Sequence, residues 1–315
     1  YVYDSFGNVT KTCAYVNYGV PGTTPATACS AASGPFRAST VTYDAALQTY
    51  ALTQTNPLAQ TVSTGYDYAL AAPTTVTDLN GNVTTTAYDG LGRATGITYP
   101  GYGQPNVKYM YPALVGGVVA APFKLEMQAW DETATPAIYR SAWTIYDGLG
   151  RALQVQGPAE TSGQLILADT KYDAMGQTLY SGLPRQITGT GGTYYAPTWT
   201  SVPHTTSAYD ALGRLVTTTV ADNTTATLSY NGLQTSLIDQ NGHKKLQEVD
   251  AFGRLVKVEE YTGTDSMTIL YATTDYCYDE RDLLKTVTDE LNNVTTITYD
   301  GWGRKTEMTD PDMGN

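Results

Sequence analysis

Apolar and hydroxylated residues alternate along most of this chain in short runs, and turn-forming residues separate the runs. Asn82-Val83-Thr84-Thr85-Thr86-Ala87-Tyr88, Arg214-Leu215-Val216-Thr217-Thr218-Thr219-Val220 and Arg254-Leu255-Val256-Lys257-Val258 are rich in β-branched and aromatic types, so each reads as a strand. No amphipathic helix longer than two turns is written in the pattern. What punctuates the strands is one six-residue unit. It occurs as Tyr88-Asp89-Gly90-Leu91-Gly92-Arg93, Tyr146-Asp147-Gly148-Leu149-Gly150-Arg151, Tyr209-Asp210-Ala211-Leu212-Gly213-Arg214 and Tyr299-Asp300-Gly301-Trp302-Gly303-Arg304. Val249-Asp250-Ala251-Phe252-Gly253-Arg254 swaps only the tyrosine, while Tyr3-Asp4-Ser5-Phe6-Gly7-Asn8 and Tyr172-Asp173-Ala174-Met175-Gly176-Gln177 lose the arginine. Such a repeat governs the reading of the whole chain.

Between Asp and Arg sit three residues ending in Gly. Three-residue hairpin loops commonly place a left-handed Gly there, where a side chain would clash. Each copy therefore predicts a β-hairpin tip, with the Asp accepting backbone N–H groups in the turn and facing the Arg across the hairpin mouth. The central residue is apolar in every copy: Phe6, Leu91, Leu149, Met175, Leu212, Phe252 and Trp302. These side chains are expected to fold back and stack from hairpin to hairpin as an apolar seam. A second signature, Asp78-Leu79-Asn80-Gly81-Asn82, Asp239-Gln240-Asn241-Gly242-His243 and Asp289-Glu290-Leu291-Asn292-Asn293, precedes three copies by a fixed interval and reads as the return turn of the same unit. The period is about twenty residues, which two short strands and two turns fill. The expectation is one continuous array over residues 1–315, with insertions at about 18–35, 101–145 and 181–206. Within 101–145, Val107 to Tyr111, Phe123 to Trp130 and Ile138 to Ile145 read as strands. Residues 181–206 read as an exposed loop. Both ends of the chain read as cut from a longer array.

Composition narrows the setting. The net charge is −12, which argues against nucleic acid and against an anionic membrane surface. No apolar run reaches the length of a membrane-spanning helix, and the longest, from Ala113 to Phe123, is broken by Gly and Pro. There are 26 tyrosines against 4 phenylalanines, so either the sheet is wet on one face, curled around a hollow, or Tyr simply serves as a strand former. Cys13 and Cys29 flank a Gly/Pro/Ser-rich insertion. They form either a disulfide closing that loop, which requires an oxidising compartment, or two unpaired thiols. Cys277 has no evident partner.

Candidate chemistry is sparse. His204 and His243 have no Cys, His or carboxylate at metal-ligand spacing. The glycines at 189–192 lack the Lys and Ser/Thr of a phosphate loop. Asp275, Asp279, Glu280 and Asp282, and separately Glu259 and Glu260, cluster as a glycosidase pair would need, but turn capping explains them more simply. The 78–82 turn has calcium-type oxygens without a terminal bidentate Glu. Asn8, Asn82, Asn223 and Asn293 head Asn-x-Thr sequons. No catalytic residue, metal or cofactor is expected.

The string from Thr77 to Arg93 closely resembles the YD repeats of the Rhs family, which includes bacterial Rhs proteins, B/C subunits of insecticidal toxin complexes and teneurin ectodomains. The resemblance covers nearly all of the chain outside the insertions. Ser181-Gly182-Leu183-Pro184, Trp199 and then Tyr209-Asp210 are similar to the toxin-associated branch. The resemblance implies an all-β array of antiparallel hairpins, curled or spiralling into a hollow shell. It implies a secreted or cell-surface structural protein, which encloses a toxin domain or displays other parts of its parent chain. The family's C-terminal self-cleaving core is not in this sequence. The rival expectation is a surface adhesin or filament subunit that stacks on further copies of itself and meets surface glycans.

Overall fold

Thr, Val and Tyr lose side-chain freedom in a helix but pack well on a pleated surface. The computed structural model describes residues 1–15, 28–34, 36–113, 119–262 and 269–311, and among them it holds twenty-five strands and no helix. Most of the insertion at about 18–35, residues 114–118 of the apolar run, residues 263–268 and residues 312–315 lie outside the described residues.

The chain divides into two compact units. One comprises Tyr1–Leu165 with Thr188–Tyr194, the other Ile166–Ile187 with Tyr195–Asn315. In the first, the strands from Val2–Tyr3 to Ala152–Pro158 form a meander in which each strand pairs antiparallel with the next. Val107–Met110, Phe123–Asp131 and Ile138–Tyr146 continue that meander without a break. The second unit follows the same rule from Gln164–Tyr172 to Lys305–Thr309, except that Thr178–Gly182 pairs with His204–Tyr209, skipping Arg185–Thr188, which pairs with Gln164–Tyr172. A meander sends alternate turns to opposite rims. Within each unit the Tyr-Asp tips therefore share one rim and the return turns the other.

The sheets bury little. Thr hydroxyls pair across strands, as in Thr42 with Thr53 at 2.6 Å and Thr219 with Thr225 at 3.0 Å, and a face lined this way stays half-solvated. Full burial is local. In the first unit Ile145, Leu165, Gln154 and Gln156 are buried, and Gln156 is bonded to the segment 189–194. The Gln156 amide donates to Gln154 Oε1 and to the Thr193 carbonyl, both at 2.6 Å, and accepts from the Gly192 N–H at 2.7 Å. Gly191 passes so close to Trp143 that a Cβ there would lie 2.2 Å from the indole. This part of 181–206 is therefore a strap fastened to the sheet, not the exposed loop expected from its glycines. Glycine serves there for close approach as much as for flexibility. Cys13 and Cys29 are disulfide-bonded, and Cys277 is an exposed free thiol.

Candidate functional site

Within each unit the repeat's recurring side chains gather at the tip rim, and each has one job. At the Asp89 tip the Asp89 N–H donates to the Arg93 carbonyl at 2.9 Å, and the Gly92 N–H donates to the Asp89 carbonyl at 3.0 Å. Gly92 sits at φ +76°, a conformation that disfavours a Cβ. One carboxylate oxygen of Asp89 accepts the Leu91 and Arg93 N–H groups, both at 3.0 Å. The other accepts the Arg93 guanidinium, with Nε at 2.8 Å. The tips at Asp147, Asp210, Asp250 and Asp300 repeat this pattern. Just beyond each, the outgoing strand carries one extra residue, so the register shifts beside Tyr88, Tyr146, Tyr209, Val249 and Tyr299.

The tyrosine reaches sideways. Its hydroxyl donates to the carbonyl of the residue that leaves the preceding tip: Tyr43 to Val9, Tyr66 to Ala51, Tyr209 to Thr178, Tyr230 to Leu215, Tyr278 to Leu255 and Tyr299 to Leu284. Phe cannot make this bond, which accounts for a role that strand propensity alone would not require. Where Val249 replaces Tyr, its N–H donates to the Leu233 carbonyl at 3.0 Å. Arginine closes the link from the other side, with Arg214 stacked 4.2 Å over the Tyr230 ring and Arg254 5.0 Å over Tyr278. The copies without Arg bridge with amides instead. Asn8 donates to the Gln48 carbonyl at 2.6 Å and Gln177 to the Gly213 carbonyl at 2.8 Å.

The opposite rim uses the same device with weaker partners. Asp78, Asp239 and Asp289 cap their turns, while Asn82, His243 and Asn293 stand where the tips place Arg, at 2.9, 3.1 and 2.8 Å. The Asp-to-polar spacing of four residues carries this signal in the sequence, beneath the more conspicuous Asn-Gly pairs. Asp78 spends its oxygens on Asn80 and Asn82, so the turn read as a calcium candidate is an internally satisfied cap. Of the clustered acids, Asp282 pairs with Arg254, Asp279 with Arg281, Glu259 with Lys257 and Glu260 with Lys245.

The expected apolar seam is not formed. Leu91 is 63% exposed, Leu212 78%, Phe252 82% and Met175 85%. Successive tips on one rim stand two strands apart, about 10 Å, which is too far for one apex side chain to cover the next. The turn directs the apex residue out from the rim.

Electrostatically the rim is settled. Side-chain and backbone hydrogen bonds from Arg93 hold Asp89 below the usual carboxylate range, and the Arg214 and Arg304 backbone bonds do the same for Asp210 and Asp300. A carboxylate held ionised with both oxygens occupied is a poor general acid or base near neutral pH.

The description RHS Repeat matches residues 278–312, which contain the Tyr278 and Tyr299 tips. No curated protein matches the chain in sequence. Among solved structures, TcdB2-TccC3 aligns with TM-score 0.69 at 16% identity over 87% of this chain and 18% of its own. TcdB2-TccC3-Cdc42 aligns at 0.72 and 15% identity, covering 87% of this chain and 19% of its own. A Photorhabdus luminescens Tc holotoxin pore aligns at 0.67 and 14% identity, covering 87% and 20%. The fold is thus shared, and this chain spans about a fifth of the chains it matches.

Proposed function

We propose that this chain, a member of the Rhs/YD-repeat family, is a non-enzymatic wall segment of a larger β-shell. In that role it encloses or displays other parts of a secreted, toxin-related polypeptide, and its first partners are neighbouring segments of that polypeptide. One observation carries the reading. The Asp, Arg and Tyr that recur with the repeat are spent on adjoining backbone and on the next hairpin, so the repeat's chemistry maintains a sheet. The likeness to TcdB2-TccC3, a complex of more than one named component, supports a place in a multi-part assembly. The Cys13–Cys29 bond suits an oxidising, extracellular setting.

A second reading, a filament or adhesin subunit, is favoured by the exposed apex row of Leu212, Phe252 and Trp302 in the second unit. Light scattering behind size exclusion, with electron microscopy of the same fractions, separates the two. Discrete single chains support the wall, and filaments that lengthen with concentration support the alternative and sink the wall.

A further inference from the structure

In the second unit, a cleft of about 250 Å³ lies between the segment 199–204 and the return turn at Val220–Asn223. Its floor is aromatic. Trp199 and His204 meet edge to face, with centroids 5.3 Å apart at 78°. Tyr180 contacts both, at 5.1 and 4.6 Å, and supports them from outside the cleft. The His204 ring is oriented by Nδ1, which lies 2.7 Å from the Val202 carbonyl. A carbonyl only accepts, so Nδ1 carries the proton, and Nε2 of the neutral ring is an acceptor. Thr200, Thr206 and Asn223 also line the cleft, the last held at φ +69° in its turn.

No Asp, Glu, Lys or Arg lines this cleft, although the whole chain carries a net charge of −12. Its volume is below the roughly 300–1,000 Å³ of sites for drug-sized ligands, so it fits one small ring. An indole face packs against apolar C–H groups, while hydroxyl, amide and imidazole groups match a rim of ligand hydroxyls. A nucleobase also stacks on an aromatic ring, but nucleic acid brings phosphates towards an acidic chain. We propose that this cleft binds a single neutral sugar residue, such as the uncharged end of a glycan. This assigns the chain a ligand that the wall role does not require.

The test is saturation-transfer NMR on the full chain with methyl glycosides of glucose, galactose, mannose and N-acetylglucosamine, and with uridine. At least one glycoside should bind saturably, with a millimolar dissociation constant fitting so small and open a site. Trp199→Ala should weaken that binding about tenfold or more by removing the stacking face. Asn223→Gly keeps the positive φ and should also weaken it, which guards against a loop disturbed by the loss of Trp199. Absence of saturable binding by all four sugars at up to about 50 mM overturns the proposal. So does binding that neither variant changes, or uridine binding more tightly than every glycoside.

Discussion

The Tyr230 hydroxyl donates to the Leu215 carbonyl at 2.9 Å, and Leu215 directly follows Arg214, whose guanidinium lies 4.2 Å over the Tyr230 ring. This hairpin is thus fastened to the one before it by both the ring and the hydroxyl of a single tyrosine, as the hairpin of Tyr278 is. Tyr230→Phe keeps the ring and the cation–π contact but removes the donor from a half-buried carbonyl, so it should cost about 1 kcal/mol. Adding Tyr209→Phe and Tyr278→Phe should bring the total to about 3 kcal/mol, because well-separated sites add. Urea titration followed by circular dichroism measures this. A triple variant as stable as the parent would show that the hydroxyls contribute nothing.

Two glycines should respond differently to the same change. Gly92 has φ +76° and open space around its missing Cβ, so Gly92→Ala meets only backbone strain, about 1 kcal/mol. Gly191→Ala drives a methyl to 2.2 Å from Trp143, an overpacking cost of about 1–3 kcal/mol. A second substitution, Trp143→Leu, should recover part of the loss at Gly191 and none at Gly92. Equal losses at the two glycines, with no rescue, would contradict the strap over Trp143.

The apex residues should tolerate charge. Leu212 and Phe252 are 78% and 82% exposed, so Leu212→Asp with Phe252→Asp should change stability by no more than about 0.5 kcal/mol per site. The double variant should also be no less soluble. Unfolding of the second unit, read by the loss of its sheet signal, would restore the seam that these exposures argue against.

How much of this was legible in the sequence follows from how far each contact reaches. The Asp89 cap, the Gly92 turn and the Arg93 pair close within five residues, so spacing and residue type suffice to read them. The Tyr209 staple ends 31 residues away at Thr178, and Gln156 meets Gly192 across 36 residues. Those partners depend on strand register, which local pattern does not supply. The apex error has the same origin. An apolar residue at a turn suggests a neighbour, and only the spacing between tips reveals that none is within reach.

Acid should loosen the sheet in a defined window. Burial pushes the Asp44 carboxyl up, but the Tyr50, Leu47 and Thr49 N–H groups outweigh it and hold the group at about 2. Hydrogen bonds at Asp89, Asp210 and Asp300 lower those groups as well. A carboxyl whose folded pKa lies below its unfolded value, about 3.9, contributes stability that is complete above the unfolded value and lost as pH falls through the folded one. Stability should therefore hold level from neutral pH down to about 5 and fall steeply between about 4 and 2. Asp44→Asn separates the cap from general acid unfolding. Its amide keeps one oxygen for the Thr49 and Tyr50 donors, at 2.9 and 2.8 Å, but turns an NH₂ towards the Leu47 N–H. The variant should be less stable at pH 7, and its stability should decline less between pH 4 and 2, as read from urea midpoints across that range. A parallel decline in both proteins would mean that the Asp44 cap is not among the groups whose protonation loosens the fold.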